Sequence, residues 1–337
     1  MHVFEKISPD VREILSKPIR DLGLRLDGSP LERFVQQLYL ELDRKGLRKF
    51  RPVCYLTDEW GCPSGEPVIG IPFYLANPQL ARLEKEMNDL EDAREIMMYM
   101  RHEAGHAFNY AYELYKSFAW RELFGPFRRS YRDSYRPVPF SRQYVRHIAG
   151  WYAQKHPDED FAETFAVWLT PGSQWRKRYQ AWGALAKLKY VDRIARSLAN
   201  TIPTRTHGRT DITVEQMDST VAEFYQRSKN EEPSIVDLAL DPDLIDIFNV
   251  SRRRKRMVRQ AAELIHEHRK ALIDKIAYWT GVQRPLIKKL LELIEMRVRA
   301  LGLRADAERE TEHLTELVVY ATALAMNYVA RGKFVLS

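Results

Sequence analysis

Tyr99-Met100-Arg101-His102-Glu103-Ala104-Gly105-His106-Ala107-Phe108-Asn109-Tyr110 is the stretch from which the rest of the chain can be read. Around it Met97, Met100, Ala104, Ala107, Phe108, Ala111 and Tyr115 recur at helical spacing and form one apolar stripe, which predicts an amphipathic helix. The stripe is centred opposite His102, His106, Asn109 and Glu113, so the helix packs with one face and presents two imidazoles from the other. Residues four apart lie nearly above one another in a helix, so His102 and His106 can address a single ion. Glu103 is turned by about 100° and borders the same cleft, beside an ion rather than on it. Gly105 in mid-helix costs about 1 kcal/mol relative to alanine, which implies that another segment approaches closely there.

A catalytic zinc site needs a third protein ligand and an open position for water. The metzincin continuation would require glycine at 109 and histidine at 112; Asn109 and Tyr112 close that route. A second helix opens instead at His156-Pro157-Asp158-Glu159-Asp160-Phe161-Ala162-Glu163-Thr164-Phe165-Ala166, with Phe161, Phe165 and Trp168 as its buried stripe. Glu159 and Glu163 are like charges four apart, which a nearby cation would relieve. Acids at 158–160 also suit a helix N-terminus. Glu163, deeper in the helix, is the expected third ligand, ahead of Asp160 and Glu159.

The first motif followed some fifty residues later by a Glu-bearing helix resembles the gluzincin-type zinc metallopeptidases. More narrowly, the two quoted segments look like those of a largely uncharacterised bacterial family of zinc-binding metallopeptidases, over about residues 50–195. That resemblance implies a cofactor, Zn2+, bound by His102, His106 and Glu163, with Glu103 as catalytic base. It also implies a peptide or protein substrate. Thermolysin-like enzymes carry an aspartate four residues after the third ligand, and this chain has Val167 there. A partner for a ligating histidine must then come from elsewhere. Hydrolysis would further need a side-chain donor for the developing oxyanion. Tyr144, His147, Tyr152 and His156 lie in the segment leading to the second helix, and Tyr152 is the one expected. Substrate backbone could pair with an edge strand, for which Val68–Tyr74 is the candidate.

Helices are predicted around Pro9–Lys17, Pro30–Arg44, Asn77–Ala119 with a break near Asn88–Asp92, Ser141–Gln154, and Ser173–Asn200. Arg51–Leu56 and Pro67–Leu75 read as a hairpin or adjacent strands. Thr201–Asp211 has linker composition, and the remainder reads as helical, including Val214–Arg227, Arg252–Thr280, Pro285–Leu301 and Ala305–Ala330. The expected class is mainly α (α+β). A zincin-like catalytic domain with a small sheet and an active-site helix fills 1–200, a linker 201–213, and a helical C-terminal bundle 214–337.

The chain has 337 residues with a net charge of +7. From Ser251 to Ser337 there are 18 Lys and Arg against 10 Asp and Glu, so the rest of the chain is close to neutral. A basic helical module of this kind supports an alternative reading, a non-enzymatic interaction protein that binds an acidic partner or nucleic acid. The run Arg252–Arg256 alone is more often a solvated helix end, so nucleic acid is not the expected partner; self-association or a protein partner through the C-terminal helices is. His266 and His268, two apart, cannot face one ion from a regular helix. Cys54 and Cys62 are too few for a disulfide framework or a cysteine zinc site. With no membrane span and no secretory signal read in the sequence, the expected compartment is the cytoplasm.

Overall fold

Side-chain caps at Asn77, Asp92, Ser117 and His156 decide where four helices of the first half start. The computed structural model describes residues 9–88, 90–131, 135, 137–230, 240–248, 258–331 and 334. It opens with α1 (Pro9–Leu15) and α2 (Glu32–Arg44), the latter burying Phe34, Val35, Leu38 and Leu42 as their spacing predicts. β1 (Val53–Thr57) and β2 (Val68–Pro72) pair in parallel, with Val53 opposite Val68 and Thr57 opposite Pro72. They are adjacent strands, then, and not a hairpin. The connection doubles back, and Gly61 exchanges both backbone hydrogen bonds with Gly70 at 2.7 and 3.3 Å. The strand expected to receive substrate backbone is therefore already paired at Gly70.

Asn77 starts α3 (Pro78–Met87) by accepting hydrogen bonds from the Gln79 and Leu80 N–H groups. The chain breaks at the predicted place. Asp92 and Glu95 then form a reciprocal capping box that begins α4 (Ala93–Ala111), the helix of the quoted stretch. It stops short of Ala119 because Glu113 takes a left-handed φ of 51°, and α5 (Phe118–Phe124) restarts on the Ser117 cap. The helix predicted over 141–154 is absent apart from a single 3-10 turn at Tyr152–Gln154. Gly150 and Trp151 both have positive φ there, and backbone N–H groups that would build a helix are spent on side chains instead, Arg146 on the Tyr179 hydroxyl and Ile148 on Glu163.

α6 (Pro157–Leu169) is capped by the His156 imidazole, has Pro157 at its first position, and is buried along its whole length. α7 (Trp175–Arg178), α8 (Ala184–Ser197) and α9 (Val221–Asn230) follow. α4 packs on α6 at Gly105. A Cβ built there would stand 2.7 Å from Ala162 Cα and 2.9 Å from Ala162 O, so the close approach predicted from this glycine is present. Phe108 of α4 stacks on Phe165 of α6 at 5.0 Å between ring centroids. Arg101, one residue before the first histidine, is tied to Glu41 of α2 by two 2.7 Å bonds in the interior.

The chain divides into two compact units, Met1–Tyr135 with Phe140–Ile148 and Tyr152–Glu231, and Arg136–Pro139 with Ala149–Trp151 and Glu232–Ser337. Residues 201–213, read as a linker, lie in the first unit. The Arg205 N–H donates to Ala111 O, Thr57 donates to Ile212 O, and Arg205 and Arg209 both bond to Glu66. The second unit contains α10 (Asp241–Ile247), β3 (Val258–Gln260), α11 (Ala261–Thr280), α12 (Arg284–Ala300), β4 (Arg304–Asp306) and α13 (Glu310–Arg331). β3 and β4 pair antiparallel. Its core is built from Ile265, Ile273, Ile276, Leu290, Ile294 and Leu317. Gly281 ends α11 with φ 75°, and Trp151 packs on it so closely that a Cβ would lie 2.5 Å from the indole. His266 and His268 are exposed, while the basic run 252–256 lies outside the described residues. Among the described residues the fold is mainly α with small sheets and C-terminal helices. No helix there is long and apolar enough to cross a membrane.

Candidate metal centre

α4 and α6 meet so that His102, His106 and Glu159 converge. The His102 and His106 Nε2 atoms are 3.1 Å apart, and Glu159 Oε2 lies 2.9 Å from the first and 3.2 Å from the second. Three donors around tetrahedral zinc, at bonds of 2.0–2.1 Å, would be separated by about 3.3 Å. The triangle fits. Its chemistry fits as well, since two imidazole nitrogens and a carboxylate are zinc donors.

The far side of each ring is also engaged. His102 Nδ1 is 2.8 Å from Glu163 Oε1, and His106 Nδ1 is 2.9 Å from Asp158 Oδ2. The neutral rings would donate from Nδ1 to these acids and turn an Nε2 lone pair inward, beside the Glu159 oxygen. Three lone pairs aimed at one point repel unless a cation lies between them. Asp158 is fixed in turn by Asn109 Nδ2 at 2.8 Å and by the Tyr110 hydroxyl. Glu163 Oε2 accepts the Ile148 N–H at 2.9 Å.

Glu163, expected as the third ligand, thus stands behind His102, and Glu159 holds the position between the two Nε2 atoms. Helix phase accounts for the exchange. Glu159 and Glu163 share a face, and the partners run in opposite order along α4 and α6, so the earlier acid spans both histidines and the later one reaches only the back of His102. Asp160 turns away to the Lys187 ammonium at 2.5 Å, and burial raises its carboxyl to about 7 despite that partner.

Glu103 is buried on the same turn and makes no hydrogen bond to another described residue. Burial raises its carboxyl above the usual range, reinforced by Glu159 and Asp158 and opposed by the two imidazoles. Burial would raise Glu159 too, but His106 and His102 outweigh it and hold that acid well below the ordinary value. The two carboxylates are therefore driven in opposite directions.

Tyr152 lies at the centre, its ring edge-to-face with His102 at 5.6 Å. Its hydroxyl is 3.3 Å from that of Tyr131, which donates to Glu159 Oε1 at 2.6 Å. The other residues weighed for the same role are occupied elsewhere. His147 Nε2 donates to Met98 O, His156 caps α6, and the Tyr144 ring lies under the Lys187 ammonium. Asp158, Tyr110 and Tyr131 were not expected from the sequence. Asn109 and Tyr110, three and four residues after His106, could have suggested the first two, because they stand one turn on from a candidate ligand. Nothing in the loop composition around Tyr131 marks that residue.

Two imidazoles from one helical turn and an acid from a second helix define the class, a His-His-carboxylate cluster that could hold a metal ion. Residues 69–193, which include every side chain of this centre, match the family model described as "Putative zinc-binding metallo-peptidase". The family resemblance read from the two motifs is the one this match supports. No curated protein and no solved structure matches the chain.

Proposed function

We propose that this chain is a zinc-dependent peptidase of gluzincin type, in which His102, His106 and Glu159 hold the metal and Glu103 is the general base. What carries the reading is the triangle of His102 Nε2, His106 Nε2 and Glu159 Oε2, with edges of 2.9–3.2 Å. With Glu159 as ligand, the residue four positions on is Glu163, a carboxylate on His102 Nδ1. The departure at Val167 then disappears, and glutamate takes the place that aspartate has in thermolysin-like enzymes.

Zinc, when bound, supplies a Lewis acid that brings the pKa of a coordinated water towards neutrality. Glu103, with its raised pKa and no competing hydrogen bond, accepts the water proton and returns it to the leaving amine. Glu163 and Asp158 hold both imidazoles in the tautomer that faces inward. Tyr152 can offer its hydroxyl hydrogen to the oxyanion, because its bond to Tyr131 is long and readily given up. The substrate class is a peptide or protein. Glu103→Gln should keep one zinc per chain by metal analysis and lose hydrolysis by about a hundredfold to ten-thousandfold. Undiminished turnover of a peptide substrate by that variant would reject Glu103 as the base.

A further inference from the structure

We infer that Tyr131 is a positioning residue that selects which oxygen of Glu159 is presented to the metal, an inference that rests on the zinc-peptidase reading above. The tyrosine hydroxyl donates to Glu159 Oε1 at 2.6 Å, while Oε2 of the same carboxylate faces the two Nε2 atoms. A short hydrogen bond to an ionised acceptor is among the stronger ones, so it resists rotation of the carboxylate about its last torsion. An unrestrained glutamate can offer a cation both oxygens. This one has a single oxygen free to give, which leaves room for water or substrate on the metal.

The ring that delivers the hydroxyl is itself held. Lys155 places its ammonium 4.3 Å from the Tyr131 ring centroid, and the His156 imidazole packs at 5.4 Å. Both residues belong to the segment that enters α6, so the tyrosine is tied to the helix that carries Glu159 even though 51% of the residue is exposed. Tyr152 does not share this function. Among the described residues its hydroxyl partner is Tyr131, and since the Tyr131 hydrogen is committed to Glu159, the Tyr131 oxygen can only accept from Tyr152.

The test uses the full chain loaded with cobalt(II) in place of zinc, comparing wild type with Tyr131→Phe and Tyr152→Phe. Tyr131→Phe keeps the ring and removes only the donor. It should weaken metal binding about 10–100-fold in competition with a chromophoric chelator. Its visible cobalt bands should also lose intensity, as the second Glu159 oxygen raises the coordination number. Tyr152→Phe should leave affinity and spectrum at their wild-type values. A Tyr131→Phe protein with wild-type affinity and spectrum would overturn the inference while leaving the metal centre standing, as would equal changes in both variants. A wild-type chain that takes up no stoichiometric metal would instead overturn the peptidase reading, and this inference with it.

Discussion

Burial alone would lower the pKa of His102, yet hydrogen bonds to Glu159 and Glu163 raise it to about 10; His106 is likewise raised, by Asp158 and Glu159, well above its ordinary value. The raised proton affinity of the two imidazoles is what an incoming metal must compete with. Zinc uptake should therefore release protons, and binding should tighten as pH rises. Calorimetric titration in two buffers of different ionisation enthalpy measures this, and heats independent of the buffer would contradict it. The two glutamates of α6 separate in the same kind of experiment. Glu159→Gln should abolish stoichiometric binding, whereas Glu163→Gln should retain one metal per chain at about 10–100-fold weaker affinity; the reverse order would restore Glu163 as the ligand. At this scale the sequence was informative wherever the geometry is internal to one helix. His102, Glu103 and His106 are related by helical rotation alone. The choice between Glu159 and Glu163 depends on how far α6 is shifted along α4, and no spacing within either helix records that offset.

The offset is set at the scale of the element, where Gly105 lies against Ala162. Gly105→Ala adds a methyl carbon 2.7 Å from a backbone Cα and 3.1 Å from Phe165 Cβ, neither of them the movable end of a flexible side chain. Helix propensity would favour alanine by about 1 kcal/mol, while overpacking a close contact costs about 1–3 kcal/mol. The second effect is expected to win, giving a net loss of up to about 2 kcal/mol in urea unfolding of the metal-free protein. Because α4 carries the histidines and α6 the acid, metal affinity should fall together with stability. A Gly105→Ala protein of wild-type stability and affinity would show that the approach at this residue does not set the centre. The glycine was conspicuous in the sequence because it costs helix stability with no local return. The capping box at Asp92 and Glu95 falls at the predicted break for a similar reason, since its two side chains act on their own helix end. The stretch 141–154 misled, because its periodicity is helical while its N–H groups serve Glu163 and Tyr179, partners distant in sequence.

Composition was the weaker guide at the scale of the whole molecule, and residues 201–213 show why. Thr, Pro, Gly and Arg in that stretch read as a linker, yet Gly208 packs against Pro67 and Glu66, and Arg205 and Arg209 close on the Glu66 carboxylate. A segment with no helix or strand of its own is thus fastened in part by one acid from the connection between β1 and β2. Burial by itself would raise the Glu66 carboxyl, but the Arg209 N–H and the Arg205 guanidinium outweigh it and hold the acid below its usual value. A carboxyl depressed by folding binds its proton more tightly in the unfolded chain. Its stabilising contribution is therefore complete above the ordinary glutamate range, near pH 4.3, and is lost as pH falls through the depressed value. Wild type should accordingly unfold at higher urea than Glu66→Gln at pH 7, with both proteins kept metal-free by chelation. The gap should hold down to about pH 5 and narrow steadily below about pH 4, as the wild-type acid becomes neutral and resembles the amide. Equal midpoints at pH 7, or a gap that stays constant into acid, would mean that the clasp on Glu66 does not hold 201–213 to the first unit.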